Sequence, residues 1–290
     1  MQLKYSFKKE WSQFARTGRI FGVIAAIFSF ALSSPLMFKF VAVVLEMVDP
    51  TSLAAVTMDG IDDLGGLMGS VSFDEMLSVY ADAGMMFVLT VSSFCGASLL
   101  IVMMILMSAA GGEQKKRAMI VPMCSGLEYK NYLIPKFVIY PLIVFGTTLI
   151  SGVTAGLLCN ALFAENKTSG GIILLISLMT AVYTLFITCV FLCIGLCTSR
   201  PGVATVLIYI GQSFLRSIFM SMGLTDYNPF TLTILPNYMT AEDFDLGAST
   251  PSIIVGIALS IIVAVMMYFL SLGVLNAKRI DNTEDEKPEF

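Results

Sequence analysis

Long apolar segments separated by short polar ones dominate this chain. About 20 apolar residues, rising 1.5 Å each, form a helix that crosses about 30 Å of membrane hydrocarbon. Six segments are long enough, at about 20–38, 85–110, 137–164, 171–198, 203–222 and 252–276. Pro35 is a candidate kink in the first, whereas Pro201 and Pro251 stand near predicted helix starts, where a missing N–H is tolerated. The pattern predicts an all-α membrane protein with six transmembrane helices.

Residues 1–19 carry a different, amphipathic pattern. The apolar positions recur at helical spacing and are Leu3, Phe7, Trp11 and Phe14. The basic positions fall mostly on the other faces and are Lys8, Lys9, Arg16 and Arg19. Such a helix lies in the membrane interface, with its cations at lipid phosphates and its tryptophan at headgroup depth. We predict an interfacial elbow helix that leads directly into the first span. A signal peptide is the alternative, although its charged region would be unusually long and several more spans follow.

Composition and charge support this class and orient the bundle. Hydrophobic residues make up 57% of the chain and charged residues 13%, about half the usual charged fraction of 25%. With the N-terminus inside, all but three of the 17 Lys and Arg residues lie on interior segments; the exceptions are Lys39, Lys167 and Arg216. Basic residues favour the cytoplasmic side. We therefore expect both termini, including an acidic tail at 277–290, to be cytoplasmic.

Two predicted exterior segments, 48–84 and 223–251, are long enough to fold. In the first, Ser72 to Glu75 forms a capping box that predicts a short helix. Three aspartates precede it, but they lack the spacing of a calcium-binding EF-hand, and we interpret them as solvated. In the second, the motifs at 228–230 and 235–237 each contain a proline. They predict a broken, partly re-entrant element near the outer surface.

The largest interior segment is 111–136. Glu113 and Arg117 stand at i and i+4, which supports a short helix, and Pro122 limits it. A helix that is charged first and apolar afterwards can dock into a groove on a partner, although an ordinary positive-inside loop has the same composition. The candidate docking residues are Glu113, Lys115, Lys116, Arg117 and Met119.

Several kinds of chemistry find no support. The chain has no GxxxxGK[ST] motif for ATP phosphates, and its predicted spans contain no Asp, Glu or His. Both facts argue against a self-sufficient pump, a proton-coupled transporter or an intramembrane hydrolase. Cys189, Cys193 and Cys197 share one helix face, but they cover too much length to close on one ion, and we interpret them as packing residues. We expect this chain to bind no metal or other cofactor.

A family resemblance emerges from three motifs in order. The first span is preceded by FKKEW…RTGR, and the last is preceded by Asn228-Pro229-Phe230. The second span is joined to the third by GGEQKKRAMIVPMCSGLEYKNYLIPK. This arrangement resembles the type-2 ATP-binding-cassette permeases, mostly prokaryotic exporter subunits, over nearly the whole chain. Departures are Arg117-Ala118 in place of the usual Gly-Thr, residues 124–127 in place of Pro-Val-Ser-Arg, and a longer 48–84 segment.

The resemblance implies a plasma-membrane permease subunit that is not itself an enzyme. It would pair with a second permease, identical or homologous, and with two cytosolic ATPase subunits that bind ATP and Mg. Residues 113–123 would be the coupling helix that seats on an ATPase. The apolar spans suit a hydrophobic or amphipathic cargo such as a lipid, peptide or drug-like molecule, and nucleic acid is not expected. The rival hypothesis is a non-transporting membrane sensor or assembly scaffold whose acidic exterior loop binds a partner.

Two further patterns leave alternatives open. Gln212 and Arg216 lie one turn apart in the fifth span. Arg216 either snorkels to lipid phosphates or faces a wet cavity on the permease axis, where it would meet an anionic cargo group or the partner subunit. Gly152 with Gly156, and Gly22 with Ala26, allow close helix approach. They pack either within the chain or against the second permease.

Overall fold

The computed structural model describes residues 2–47, 82–107, 109–110, 128–198, 200–240 and 244–284, which contain helices and no strands. In chain order the helices are α1 (Gln2–Arg16), α2 (Arg19–Met47), α3 (Ala83–Ser93), α4 (Leu99–Leu106), α5 (Tyr129–Leu162), α6 (Gly170–Thr198), α7 (Pro201–Ser221), α8 (Thr231–Ile234), α9 (Pro236–Met239) and α10 (Leu246–Glu284). A π-helical turn, Phe94–Ser98, joins α3 to α4. Among the described residues, six helical segments are long and apolar enough to cross a membrane: α2, α3–α4 taken together, α5, α6, α7 and α10. The predicted fold class is confirmed.

Helix ends differ from the predicted spans. Helix α5 begins at Tyr129, inside the segment predicted to be a loop up to 136. Helix α10 begins at Leu246 and runs through Pro251 to Glu284, so that most of the predicted tail is helical. Its 39 residues cover about 58 Å, roughly twice the hydrocarbon thickness. Apolar length marks the part of a helix that can lie in lipid, and these helices continue beyond it. Helix α2 likewise continues through Pro35 to Met47.

Helix α6 occupies the centre of the bundle. It packs against α5, α7 and α10, while α2 covers α5 and the α3–α4 span. Close contact between α5 and α6 depends on glycine, because a Cβ on Gly156 would lie 2.5 Å from Cγ2 of Ile173 and one on Gly152 would lie 2.8 Å from Oγ of Ser177. Both glycines therefore pack within the chain.

In the first span, Gly22 also faces a neighbouring helix of the chain. A Cβ on Gly22 would lie 3.4 Å from Cδ1 of Ile105 on α4, at van der Waals distance. Gly22 thus packs at ordinary contact distance within the chain, and contact of the first span with a second permease stays a prediction.

Helix α1 is separate from the first span. It ends at Arg16, and Gly18 in the following turn has a φ of +68°, in the left-handed region that favours glycine. The Thr17 hydroxyl donates to the Gln13 carbonyl at 2.7 Å and satisfies one of the last carbonyls of α1. Helix α2 starts at Arg19, so α1 and α2 are joined by one short turn. Helix α1 packs against α5 and α2.

The segment before the last span forms two short helices. Asn228 Oδ1 accepts hydrogen bonds from the N–H groups of Phe230 and Thr231 at 2.8 and 3.1 Å, which caps the start of α8. The helix breaks at Pro236, where α9 begins. Helix α8 is buried against α6 and α10. The predicted break is present, and its re-entrant position in a bilayer stays a prediction.

Two predicted features lie outside the described residues. The capping box of the 48–84 segment falls on residues 48–81, and the docking residues Glu113, Lys115, Lys116, Arg117 and Met119 fall on 111–127.

Candidate functional site

A buried ionic cluster joins α1 to the first turns of α5. The Nζ of Lys136 lies 3.4 Å from Oε1 of Glu10. The Tyr140 hydroxyl donates to the other carboxylate oxygen, Oε2, at 2.9 Å. Lys136 is fully buried and Glu10 is 2% exposed. Each charge is expensive to remove from water, so the two are stable here because they compensate each other.

The same lysine also contacts the end of the second span. Its Nζ donates to the Ala109 carbonyl at 3.4 Å and lies 4.8 Å from the centre of the Tyr132 ring. Ala109 lies two residues before the 111–127 segment, and α5 begins at Tyr129, two residues after it. Lys136 on α5 therefore contacts both Glu10 on α1 and the Ala109 carbonyl, which lies after the second span. We call Glu10, Lys136, Tyr140 and the Ala109 carbonyl the α1 clamp.

The sequence of α1 explains why a carboxylate is buried there. Ser6, Glu10 and Phe14 are spaced by four residues, so they lie on one face, and all three are buried. The Phe14 ring meets the Tyr140 ring edge-on with 4.9 Å between centroids. Aromatic packing and the ion pair therefore act on the same face of α1.

The predicted apolar face of α1 is divided between two surroundings. Phe7 and Phe14 pack into the bundle, whereas Leu3 and Trp11 are 39% and 52% exposed. The predicted interface cations Lys8, Lys9 and Arg16 are exposed. Arg19, at the start of α2, is half-buried, and its Nη1 has no hydrogen-bond partner among the described residues. Contact of this set with lipid stays a prediction.

The second polar cluster surrounds Gln212, which is 7% exposed. Its Nε2 donates to the Cys95 carbonyl at 2.9 Å, and its Oε1 accepts from the Tyr183 hydroxyl at 3.2 Å. Cys95 lies in the π-helical turn, where the Leu99 N–H is directed to the Phe94 and Gly96 carbonyls. The Cys95 carbonyl therefore lacks its usual helical partner, and Gln212 replaces it.

Arg216, one turn further along α7, reaches α8. Its Nη2 donates to the Thr233 carbonyl at 3.2 Å. Thr233 lies at the C-terminal end of α8, where carbonyls lack helical partners, and Pro236 brings no N–H to this break. Arg216 thus ties α7 to the segment before the last span. The Thr233 contact was not predicted from the sequence, and both alternatives for Arg216, snorkelling to lipid phosphates or meeting an anionic group in a cavity, stay predictions.

A small pocket lies beside both side chains. Its volume is about 70 Å³, and it is bounded by the π-helical turn, α6, α7 and α8. The lining residues are Ser92, Cys95, Gly96, Tyr183, Gln212, Ser213, Arg216 and Thr233.

A larger groove of about 410 Å³ separates α5 from α10 at the side of α6. Its lining is almost entirely apolar and includes Phe137, Leu185 and Val265. Cys189, one of the three cysteines on α6, also lines it and is buried. Within the described part of the chain, no group of three or more His, Cys, Asp or Glu side chains is placed to hold a metal ion.

Sequence analysis did not identify the α1 clamp. The sequence patterns assign no individual role to Glu10, Lys136 or Tyr140. The available signal was a carboxylate at position 10, between Phe7 and Phe14 on the apolar side of an amphipathic helix. An acid in such a place needs a partner.

Comparisons with known proteins add no further constraint. No family model, no curated protein and no solved structure matches this chain. The features of this chain that bear on its function are therefore its motifs, the order of its helices and the two polar clusters.

Proposed function

We propose that this chain is the membrane-spanning permease subunit of an ATP-binding-cassette exporter. A separate cytosolic ATPase hydrolyses ATP, and the permease uses that energy to export a hydrophobic or amphipathic substrate. Two permeases, identical or homologous, and two ATPase subunits form the assembly. Both termini and the 111–127 segment lie in the cytoplasm.

The observation that carries the proposal is the α1 clamp. An amphipathic helix with exposed cations on one side is fixed by a buried ion pair to α5, and the same lysine contacts the Ala109 carbonyl, so the cluster touches the chain on both sides of 111–127. A rigid connection of this kind suits a device that transmits motion, because a displacement at 111–127 cannot be absorbed by a loose α1. A sensor or scaffold has no evident need for it.

Other features are consistent with this function. A helical pair broken at Pro236 precedes the last span, in the place that the family resemblance leads one to expect. The chain has no phosphate-binding motif, and a permease that receives its energy from another chain needs none. The apolar groove beside α6 is wide enough for part of an amphipathic molecule.

The mechanism follows from these connections. ATP-driven closure of the ATPase pair displaces residues 113–123, and the α1 clamp transfers that displacement to α1 and to the cytoplasmic ends of the second and third spans. The two permeases then separate on the outer side, and a path between them opens outward.

The test is whether 111–127 binds the ATPase. Replacing Glu113 and Arg117 with alanine should reduce the amount of ATPase that co-purifies with the tagged chain by about tenfold, since interface charges of this kind contribute about 1.4 kcal/mol or more together. The measurement is the ratio of the two subunits after affinity purification from native membranes.

A matched control lies just beyond this segment. Glu128 and Lys130 are exposed at the start of α5, and their double replacement with alanine removes the same charges without touching 111–127. It should leave the subunit ratio unchanged. If both double variants retain the ATPase equally, 111–127 is an ordinary cytoplasmic loop and the proposed coupling role is wrong.

A further inference from the structure

We infer that the pocket beside Arg216 binds the anionic head of an amphipathic molecule, a phosphate or carboxylate group. The argument starts from charge. The guanidinium lines a pocket whose eight lining residues include no carboxylate. Across the described residues the one ion pair is that of Lys136 with Glu10. Arg216 therefore carries its charge without a protein counterion in the part of the chain that the structure describes.

Donors remain available on the pocket wall. A guanidinium has five N–H groups, and Arg216 makes one hydrogen bond, to the Thr233 carbonyl, among the described residues. The Ser92 hydroxyl also lines the pocket and makes no hydrogen bond within that part of the chain. Arginine forks match phosphate and carboxylate oxygens in geometry, and these pairs are stronger than hydrogen bonds between neutral groups.

Neighbouring contacts hold the site in shape. Gln212 is fixed by hydrogen bonds to Cys95 and Tyr183, and Thr233 fixes one side of the guanidinium. The side chains that surround the ligand position are thus ordered before a ligand arrives, which lowers the cost of binding.

The size of the pocket limits what enters it. A volume of about 70 Å³ admits a few water-sized groups, enough for the oxygens of one acidic group and too small for a whole amphiphile. Ser213, on the rim, is exposed, so the rest of the ligand extends out along the surface of α7. The apolar residues Phe214 and Leu215 are exposed next to it and suit a hydrocarbon chain.

Depth agrees with this assignment. Arg216 lies 15 residues beyond Pro201 on α7, which is about 22 Å along a helix that crosses about 30 Å of hydrocarbon. With the proposed orientation it is in the outer half of the membrane, within reach of headgroups. The ligand has two sources of the same chemistry: an anionic membrane lipid, which requires no transport, or an exported amphiphile, which rests on the proposed function.

The test uses the purified full chain without any ATPase, so its outcome is separate from that of the coupling experiment. Native mass spectrometry measures binding of dodecyl phosphate, of phosphatidylglycerol and of uncharged dodecanol. We expect Arg216→Gln to weaken binding of an anionic probe by about tenfold or more, because the charge-assisted bonds are lost. Dodecanol should bind both proteins equally. Arg200→Gln, which removes an exposed cation at the other end of α7, should have no effect.

The two sources give different results. Phosphatidylglycerol that stays on the wild type through purification and excludes dodecyl phosphate indicates a membrane lipid. Dodecyl phosphate that binds despite saturating phosphatidylglycerol indicates a cargo-like amphiphile. Ser92→Ala should lower the affinity for the bound probe severalfold. Because it leaves the Arg216–Thr233 contact intact, it tests the pocket even if Arg216→Gln disturbs α8. Unchanged binding of both anionic probes in Arg216→Gln and Ser92→Ala would overturn the inference and leave Arg216 as a tie to α8 alone.

Discussion

The carboxylate of Glu10 and the ammonium of Lys136 are far apart in sequence and both inaccessible to solvent. Neither charge is favourable alone in such a place. Removing one partner of a buried pair costs about 3–5 kcal/mol, whereas replacing both with neutral groups of similar size is often close to neutral. The α1 clamp is therefore better understood as a specific connection than as a large net source of stability.

This asymmetry gives the first residue-scale prediction. Lys136→Met should destabilise the protein by about 3–5 kcal/mol because it leaves the Glu10 carboxylate buried without its cation. Glu10→Gln combined with Lys136→Met should recover most of that loss. Unfolding in a denaturing-detergent titration measures both. Lys130→Met, an exposed lysine on the same helix, is the control.

A single variant that is as stable as this control would show that the ion pair is absent in the membrane. A double variant no better than the single would show that the charges do not compensate each other. Transport by the recovered double variant then reports whether the clamp is needed for coupling as well as for folding.

The sequence alone indicates that Glu10 needs a charged partner, but it does not identify which residue that partner is. A carboxylate between two phenylalanines on one helix face calls for a partner, and the sequence contains many lysines and arginines on the segments predicted to share its side of the membrane. Choosing Lys136 required the packing of α1 on α5. Gln212 and Arg216 were identified from their helical spacing, but their partners, the Cys95 and Thr233 carbonyls, become available through a π-helical turn and a helix break that spacing does not reveal.

At the scale of helices, apolar length predicted the existence of all six spans. It did not predict their ends, because α5 and α10 continue as helices where their sequence becomes polar. The pattern also did not reveal the π-helical turn of the second span, since a single wider turn barely alters hydrophobic periodicity. Hydrophobicity thus marks the parts that can lie in lipid, and it does not mark where these helices begin and end.

Close packing of α5 on α6 gives an element-scale prediction. Gly156→Ala places a methyl group 2.5 Å from Cγ2 of Ile173 and 3.1 Å from Phe87, so it should destabilise the bundle by about 1–3 kcal/mol through overpacking. Gly146→Ala, on the same helix with nothing within 4 Å of the added carbon, should be neutral or slightly stabilising. The same detergent titration compares the two, and equal stability of the variants would mean that α5 and α6 are further apart than described.

At the scale of the whole molecule, two sets of polar contacts lie at opposite ends of the bundle. The α1 clamp lies beside residues 109 and 136, on either side of the 111–127 segment, and Arg216 ties α7 to the short helices before the last span. Helix α6 lies between these ends and packs against α5, α7, α8 and α10. Under the proposed function, motion that begins at the ATPase would pass through α5 and α6 to the outer elements that surround the anion pocket.

The measurement that tests the central claim most directly is ATP hydrolysis by the tagged chain purified from its native membranes. The account predicts that the chain purifies with a second, ATP-hydrolysing subunit. Removing that subunit should abolish hydrolysis, because this chain has no nucleotide-binding motif. Adding the subunit back should restore hydrolysis together with ATP-dependent uptake of an amphipathic dye into inside-out vesicles. Two results would contradict the account. One is that the chain purifies without any ATPase, and the other is that hydrolysis and uptake are both unchanged when this chain is left out of the assay.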